Sequence, residues 1–246
     1  MSQATSNPYR CEGKIINNGT TNQTNTKLNV IAKELTTGNT IFTSSSSSSV
    51  LNPLDSVIVA TNNTFTPLTE GLYNFEFWAT SSNAYTDTVV RSTIVTDTVY
   101  GRDYDWNSDG SNAGSGYYLG RSCGGQLLAN AFEVYTADTV TSISFHVSDQ
   151  SVLGAQLTVE LYEYDPVSFN PILLGSSNLY ALTTMDIDNW KTLKLSNPIL
   201  LQPSTSTSNV SYLAAVRGVS HPTDTSLISS SGSDGVVSFV QDNGCN

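Results

Sequence analysis

Asp103, Asp105, Asn107 and Asp109 alternate along the chain and stop at Gly110. Alternate residues can turn toward one point, and carboxylate and amide oxygens are the hard ligands that Ca2+ takes. Asp105, Asn107, Asp109 and Gly110 match the first half of a calcium loop, D-x-[DN]-x-[DN]-G. An EF-hand would place a bidentate Glu at the twelfth position, where this chain has Gly116. The pattern therefore predicts a looser, structural Ca2+ site in a β domain, completed by backbone carbonyls and water. The competing reading is a turn that uses Asp, Asn and Gly for their conformations.

Tyr104, Trp106, Tyr117 and Tyr118 cluster beside this loop, with Arg102 and Arg121 close in sequence. Exposed, such rings would form a platform for sugar faces. Buried, they would pack between domains, because aromatic rings dominate cores and interfaces. The three cysteines, Cys11, Cys123 and Cys245, have no metal-site spacing, so zinc is not expected. In an oxidising compartment a Cys123–Cys245 disulfide would staple the second half of the chain, adding about 4–5 kcal/mol by loop-closure arithmetic. Cys11 would then be left over. The other reading is three unpaired thiols, since spacing does not establish proximity.

No catalytic signature is present. The two histidines, His146 and His221, are far apart, and neither G-x-S-x-G nor H-E-x-x-H occurs. His146 falls in a strand pattern, on either a solvent face or a satisfied core position. Asp186 and Asp188 have the residue types of a glycosidase pair but read more simply as a turn before a strand. The chain is not expected to be an enzyme.

The elements that must position these residues are strands. Apolar and polar residues alternate, and β-branched types dominate. Leu72–Ala79 is the clearest case, with Tyr73, Phe75 and Phe77 on one face. Lys27–Lys33 and Asp87–Val95 follow the same rule, and turn residues separate them at Asn17-Asn18-Gly19, Thr37-Gly38-Asn39 and Asn52-Pro53. The serine run 44–49 is expected to be a polar, flexible loop between strands. Trp78 and Trp190 sit in strand patterns and are expected in the core.

About seven short strands over residues 1–99 predict an immunoglobulin-like sandwich. Roughly eight more over 100–246, among them 140–147, 156–163, 190–195 and 211–216, predict a jelly roll. Pro166, Pro171, Pro198 and Pro203 are expected between strands or at their ends.

With 10 Lys and Arg against 21 Asp and Glu, the net charge is -11, which argues against nucleic acid or an anionic membrane as partner. No segment is apolar enough to insert in a bilayer, and residues 1–6 lack the pattern of a signal peptide. Charges make up only 13% of the chain, too few to protect sheet edges, so contacts between edges and neighbouring domains are expected.

Ile16-Asn17-Asn18-Gly19, Gln23-Thr24-Asn25, Leu28-Asn29-Val30, Phe65-Thr66-Pro67 and Gly71-Leu72-Tyr73-Asn74-Phe75, followed by Asp97–Asp103 and a jelly roll, resemble CARDB-type immunoglobulin-like adhesion modules. Such tandems occur in secreted or surface proteins of Bacteroidota, often carried by the type IX secretion system. The resemblance implies an extracellular or cell-surface location and an internal slice of a longer protein. It also implies a non-catalytic binding or adhesion module whose partner is a glycan or a surface protein. The alternatives are a structural subunit or repeat of a surface filament, pairing with copies of itself, and an accessory domain of a secreted hydrolase.

Overall fold

A computed structural model describes residues 8–66, 69–82, 88–101, 116–119, 126–205, 210–229 and 238–242. They contain strands, bridges and turns, with no helix among the described residues. The protein is all-β. It divides into two compact units, Met1–Val99 and Tyr100–Asn246.

The first unit holds β1 (Glu12–Ile16), β2 (Gln23–Glu34), β3 (Thr40–Ser45), β4 (Ser49–Leu51), β5 (Ser56–Ala60), β6 (Gly71–Thr80) and β7 (Val89–Val95). One sheet is the pair β1-β5; the other runs β3-β2-β6-β7, with β4 also on β2. In immunoglobulin terms β1 and β5 pair as strands B and E, and the second sheet runs C′, C, F and G. Period-two alternation turns Leu28, Val30 and Ala32 of β2, and Tyr73, Phe75 and Ala79 of β6, into one buried cluster. Tyr73, near the start of β6, donates its hydroxyl hydrogen to the Thr69 carbonyl at 2.8 Å. That is the tyrosine corner of immunoglobulin sandwiches.

Of the serine run only Ser47 and Ser48 form an exposed link between strands. Ser44 and Ser45 lie in β3, Ser46 bridges Thr61, and Ser49 opens β4. Ser44 and Ser46 are buried. The Ser46 hydroxyl accepts the Leu28 amide at 3.0 Å, and the Ser44 hydroxyl accepts that of Asn63, also at 3.0 Å. Short hydroxyls can satisfy backbone donors where the ladder changes partner, which a polar composition alone does not reveal.

The second unit holds β8 (Gly116–Leu119), β9 (Gln126–Glu133), β10 (Asp138–Val147), β11 (Gln156–Tyr164), β12 (Ile172–Ser176), β13 (Tyr180–Ala181), β14 (Asn189–Leu201), β15 (Ser211–Gly218), β16 (Ser226–Ser229) and β17 (Ser238–Asp242). One sheet runs β14-β10-β16-β8; the other runs β12-β11-β15-β9-β17, with β13 also on β11. All pairs are antiparallel. The two sheets enclose a core that includes Ile143, Phe145 and Val147 of β10, Leu157, Val159 and Leu161 of β11, and Leu193 and Leu195 of β14. This double sheet is the jelly-roll sandwich that the strand count predicted.

Two expectations change here. Pro198 lies inside the span of β14, not between strands. The position is permitted because β14 is an edge strand, and its ladder with β10 is interrupted between Val140 and Ser142. Neither Trp78 nor Trp190 is a core residue. Trp78 is half-buried, one step out of phase with Phe75 and Phe77, and Trp190 keeps 41% of its surface. Parity along the strand, not the residue type, sends both to an outer face.

Candidate functional site

The residues singled out for metal binding, Asp103, Asp105, Asn107 and Asp109, lie outside the described residues, as do Tyr104, Trp106, Cys123 and Cys245. Tyr117 and Tyr118 are described only as backbone in β8, opposite Ile228 and Leu227. Among the described residues no cluster of His, Cys, Asp and Glu could hold a metal ion.

Cys11 is a free, buried thiol on the immunoglobulin-like core. Burial pushes its pKa up to about 11. At pH 8 about one molecule in a thousand carries the reactive thiolate. Iodoacetamide labelling of the native chain at pH 8, read by peptide mass spectrometry, should spare Cys11 until denaturant is added. Equal labelling rates in the native and unfolded chains would refute the burial.

Asp186 does not form a catalytic pair with Asp188. One oxygen of Asp186 accepts the Thr183 amide and hydroxyl and the Tyr180 hydroxyl at 2.7–2.8 Å; the other accepts Lys191 Nζ at 2.8 Å. Asp188 is exposed, with a φ of 55°. The turn reading of 186–189 is the one the structure supports.

His146 is buried on the outer side of its sheet, not in the core. Its neighbours in sequence, Phe145 and Val147, point inward instead. Its Nδ1 lies 3.0 Å from the Ser229 hydroxyl, and its ring meets Trp190 edge-on at 5.7 Å. Nε2 is buried with no hydrogen-bond partner among the described residues.

The arrangement with the most chemistry was not visible in the sequence. It occupies the outer face of the β12-β11-β15-β9-β17 sheet. Registers place side chains there in rows: Thr158, Arg217, Leu127 and Gln241; then Glu160, Ala215, Ala129 and Phe239; then Tyr162, Leu213 and Ala131. Alanines at three of these positions leave a low floor. Larger rings cover it. Tyr164 meets Phe169 edge-on at 5.4 Å and Phe239 at 6.0 Å, and Phe169 lies 5.0 Å from Phe239. The floor residues are buried beneath them, while Phe169 keeps 47% of its surface.

Phe169 has a φ of 46°, in the left-handed region where a bulky side chain is a genuine outlier. The loop holds it there. The Asp165 carboxylate accepts the Val167 amide at 2.8 Å and the Ser168 hydroxyl at 3.1 Å, and the Phe169 amide donates to the Asp165 carbonyl at 2.8 Å. No Gly or Asn marks this position, so no turn rule could have found it.

Beside the rings stands a polar triad. Arg217 Nε donates to both Glu160 oxygens at 2.8 and 2.9 Å, and Nη2 donates to the Tyr162 hydroxyl at 2.9 Å. Tyr162 in turn donates to Glu160. Burial, then the bond to Glu160, raises the Tyr162 pKa, so the phenol stays protonated at neutral pH. Burial alone would lower the Arg217 pKa, but the bonds to Glu160 and Tyr162 raise it, so its charge is permanent.

No family model and no curated protein matches this chain. Two solved structures are similar over most of its length. One is described among the carbohydrate-binding modules of the β-sandwich superfamily, with 9% identity and a TM-score of 0.30, covering 91% of this chain and 96% of the other. The second is a two-domain protein from Bacteroides fragilis whose description gives its function as unknown, with 9% identity and a TM-score of 0.25, covering 90% of this chain and 85% of the other. At that distance neither assigns a family or a ligand.

Proposed function

We propose that this chain is a non-catalytic binding module that works outside the cell and takes a glycan on the outer face of its second unit. One observation carries the reading: Phe169 is half-exposed although its backbone is strained. A strained backbone at a bulky residue persists only where its surroundings hold it, and such strain clusters at ligand clamps. Phe169 joins Tyr164 and Phe239 in a cluster of rings on the sheet face that also carries the fixed guanidinium of Arg217. A flat ring beside fixed hydrogen-bonding groups is the chemistry that holds a sugar. The CARDB-type resemblance, with its surface location, supports the same role.

The test compares the whole chain with Phe169→Gly on a broad glycan array, followed by affinity electrophoresis in the polysaccharides that score. Glycine tolerates the left-handed conformation, so this variant removes the ring without adding strain. The wild type should be retained by at least one glycan, and the variant should lose at least tenfold in affinity while still melting cooperatively. Silence across the array, or full binding by the variant, would overturn the reading.

A further inference from the structure

The guanidinium of Arg217 is only half used. It has five N–H donors in a rigid plane. Nε and one hydrogen of Nη2 are spent on Glu160 and Tyr162. The opposite edge, formed by Nη1 and the second hydrogen of Nη2, has no partner among the described residues. Three contacts on one side therefore fix the plane, and the free side is a preorganised pair of parallel donors. Arg217 keeps 29% of its side-chain surface, while Glu160 keeps 11%. From the register, Phe239 is one row away and two strands across, about 12 Å at ordinary strand spacing and rise.

We propose that this free edge of Arg217 is the orienting contact for the ligand, and that it selects neutral sugars carrying two adjacent hydroxyls over carboxylated ones. The inference rests on the binding role proposed above. Two hydroxyl oxygens on neighbouring carbons match two parallel N–H groups. A carboxylate matches them in shape too, so charge decides. Glu160 already balances the guanidinium through both of its oxygens. A uronate would have to shed its water for a cation that is already paired, which is repaid only in excellent geometry. It would also approach a chain of net charge -11. Neutral hydroxyls meet neither penalty. Glu160 and Tyr162 are positioning residues, because they act through Arg217.

The experiment is affinity electrophoresis of the whole chain in glucan, mannan and galactan as neutral probes, and in pectate and alginate as uronate probes. Arg217→Lys keeps the charge beside Glu160 but removes the fork. Tyr162→Phe loosens the guanidinium and serves if the lysine variant fails to melt cooperatively. Retardation by a neutral polysaccharide, absent in the uronates and weakened at least tenfold in Arg217→Lys, is the expected result. Retardation by uronates alone overturns the selectivity but leaves the binding role standing. Neutral binding that survives both substitutions overturns the role of Arg217 and again leaves the binding role. No retardation by any probe, with a silent glycan array, overturns both.

Discussion

Replacing Asp186 with alanine should lower the stability of the second unit by about 3–5 kcal/mol, the cost of stranding one partner of a buried ion pair. The side chain keeps only 6% of its surface, against 22% for Lys191. Its two oxygens receive four donors, and Lys191 Nζ also sits 3.9 Å over the Tyr180 ring. Removing the carboxylate leaves the ammonium without a counter-ion and frees the turn between β13 and β14. A drop of roughly 10 °C in the midpoint is expected for a domain of this size. Asp186→Asn should cost less, because it keeps the shape. A loss below about 1 kcal/mol would class the contact with exposed pairs, which contribute little.

The pH dependence of that contribution has a definite sign. Burial by itself raises the Asp186 pKa, but bonds from Lys191, Thr183 and Tyr180 outweigh it and hold the carboxyl well below its ordinary 3.8. The folded state therefore binds fewer protons than the unfolded chain. Stability from this group is complete above the ordinary value and is lost as the pH falls through and below it. Urea midpoints of wild type and Asp186→Ala should converge as the pH is lowered through that window.

Replacing Phe65 with alanine should destabilise the first unit by about 3–5 kcal/mol, the usual range for deleting a buried phenyl ring. Phe65 is outside every named strand, between β5 and β6, yet three rings meet it edge-on: Phe42 at 5.7 Å, Tyr73 at 6.1 Å and Phe75 at 5.1 Å. Its backbone is pinned by a two-way bridge with Tyr9, at 2.7 and 2.8 Å. The surrounding rings come from two separate strands, β3 and β6, and cannot all collapse into the hole. Phe65→Leu keeps most of the volume and should cost less than half as much. Denaturant unfolding of the two variants settles it: equal losses would show that edge-to-face packing, not volume, dominates the site.

The strands were the most legible part of the chain. Leu28, Val30 and Ala32, or Leu157, Val159 and Leu161, lie two residues apart, and a period of two survives in any sheet the strand joins. The same rule sends Trp78 and Trp190 outward, against what their bulk suggests, because each is out of phase with the inward residues of its strand. The serine run misled because hydroxyls that bind backbone amides look, in sequence, like hydroxyls in water. The strongest chemical pattern, Asp103 to Gly110, falls outside the described residues.

The amino-acid sequence by itself determined that this chain is all-β, which residues of each strand could share a face, and that its net charge is -11. These follow from alternation, turn residues and composition, all of which are local or additive. Only the tertiary structure decided what meets what. Arg217 and Glu160 are 57 residues apart and touch because β15 pairs with β11 in one register. Shifting that register by one residue would send every side chain of β15 to the opposite face. The β15–β9 pairing brings Ala215, Ala129 and Ala131 onto that face, while the left-handed backbone of Phe169 has no signature in its own residue type. Strand order and register are chosen by the whole core at once, which is why a site built across four strands and a loop cannot be read from any one of them.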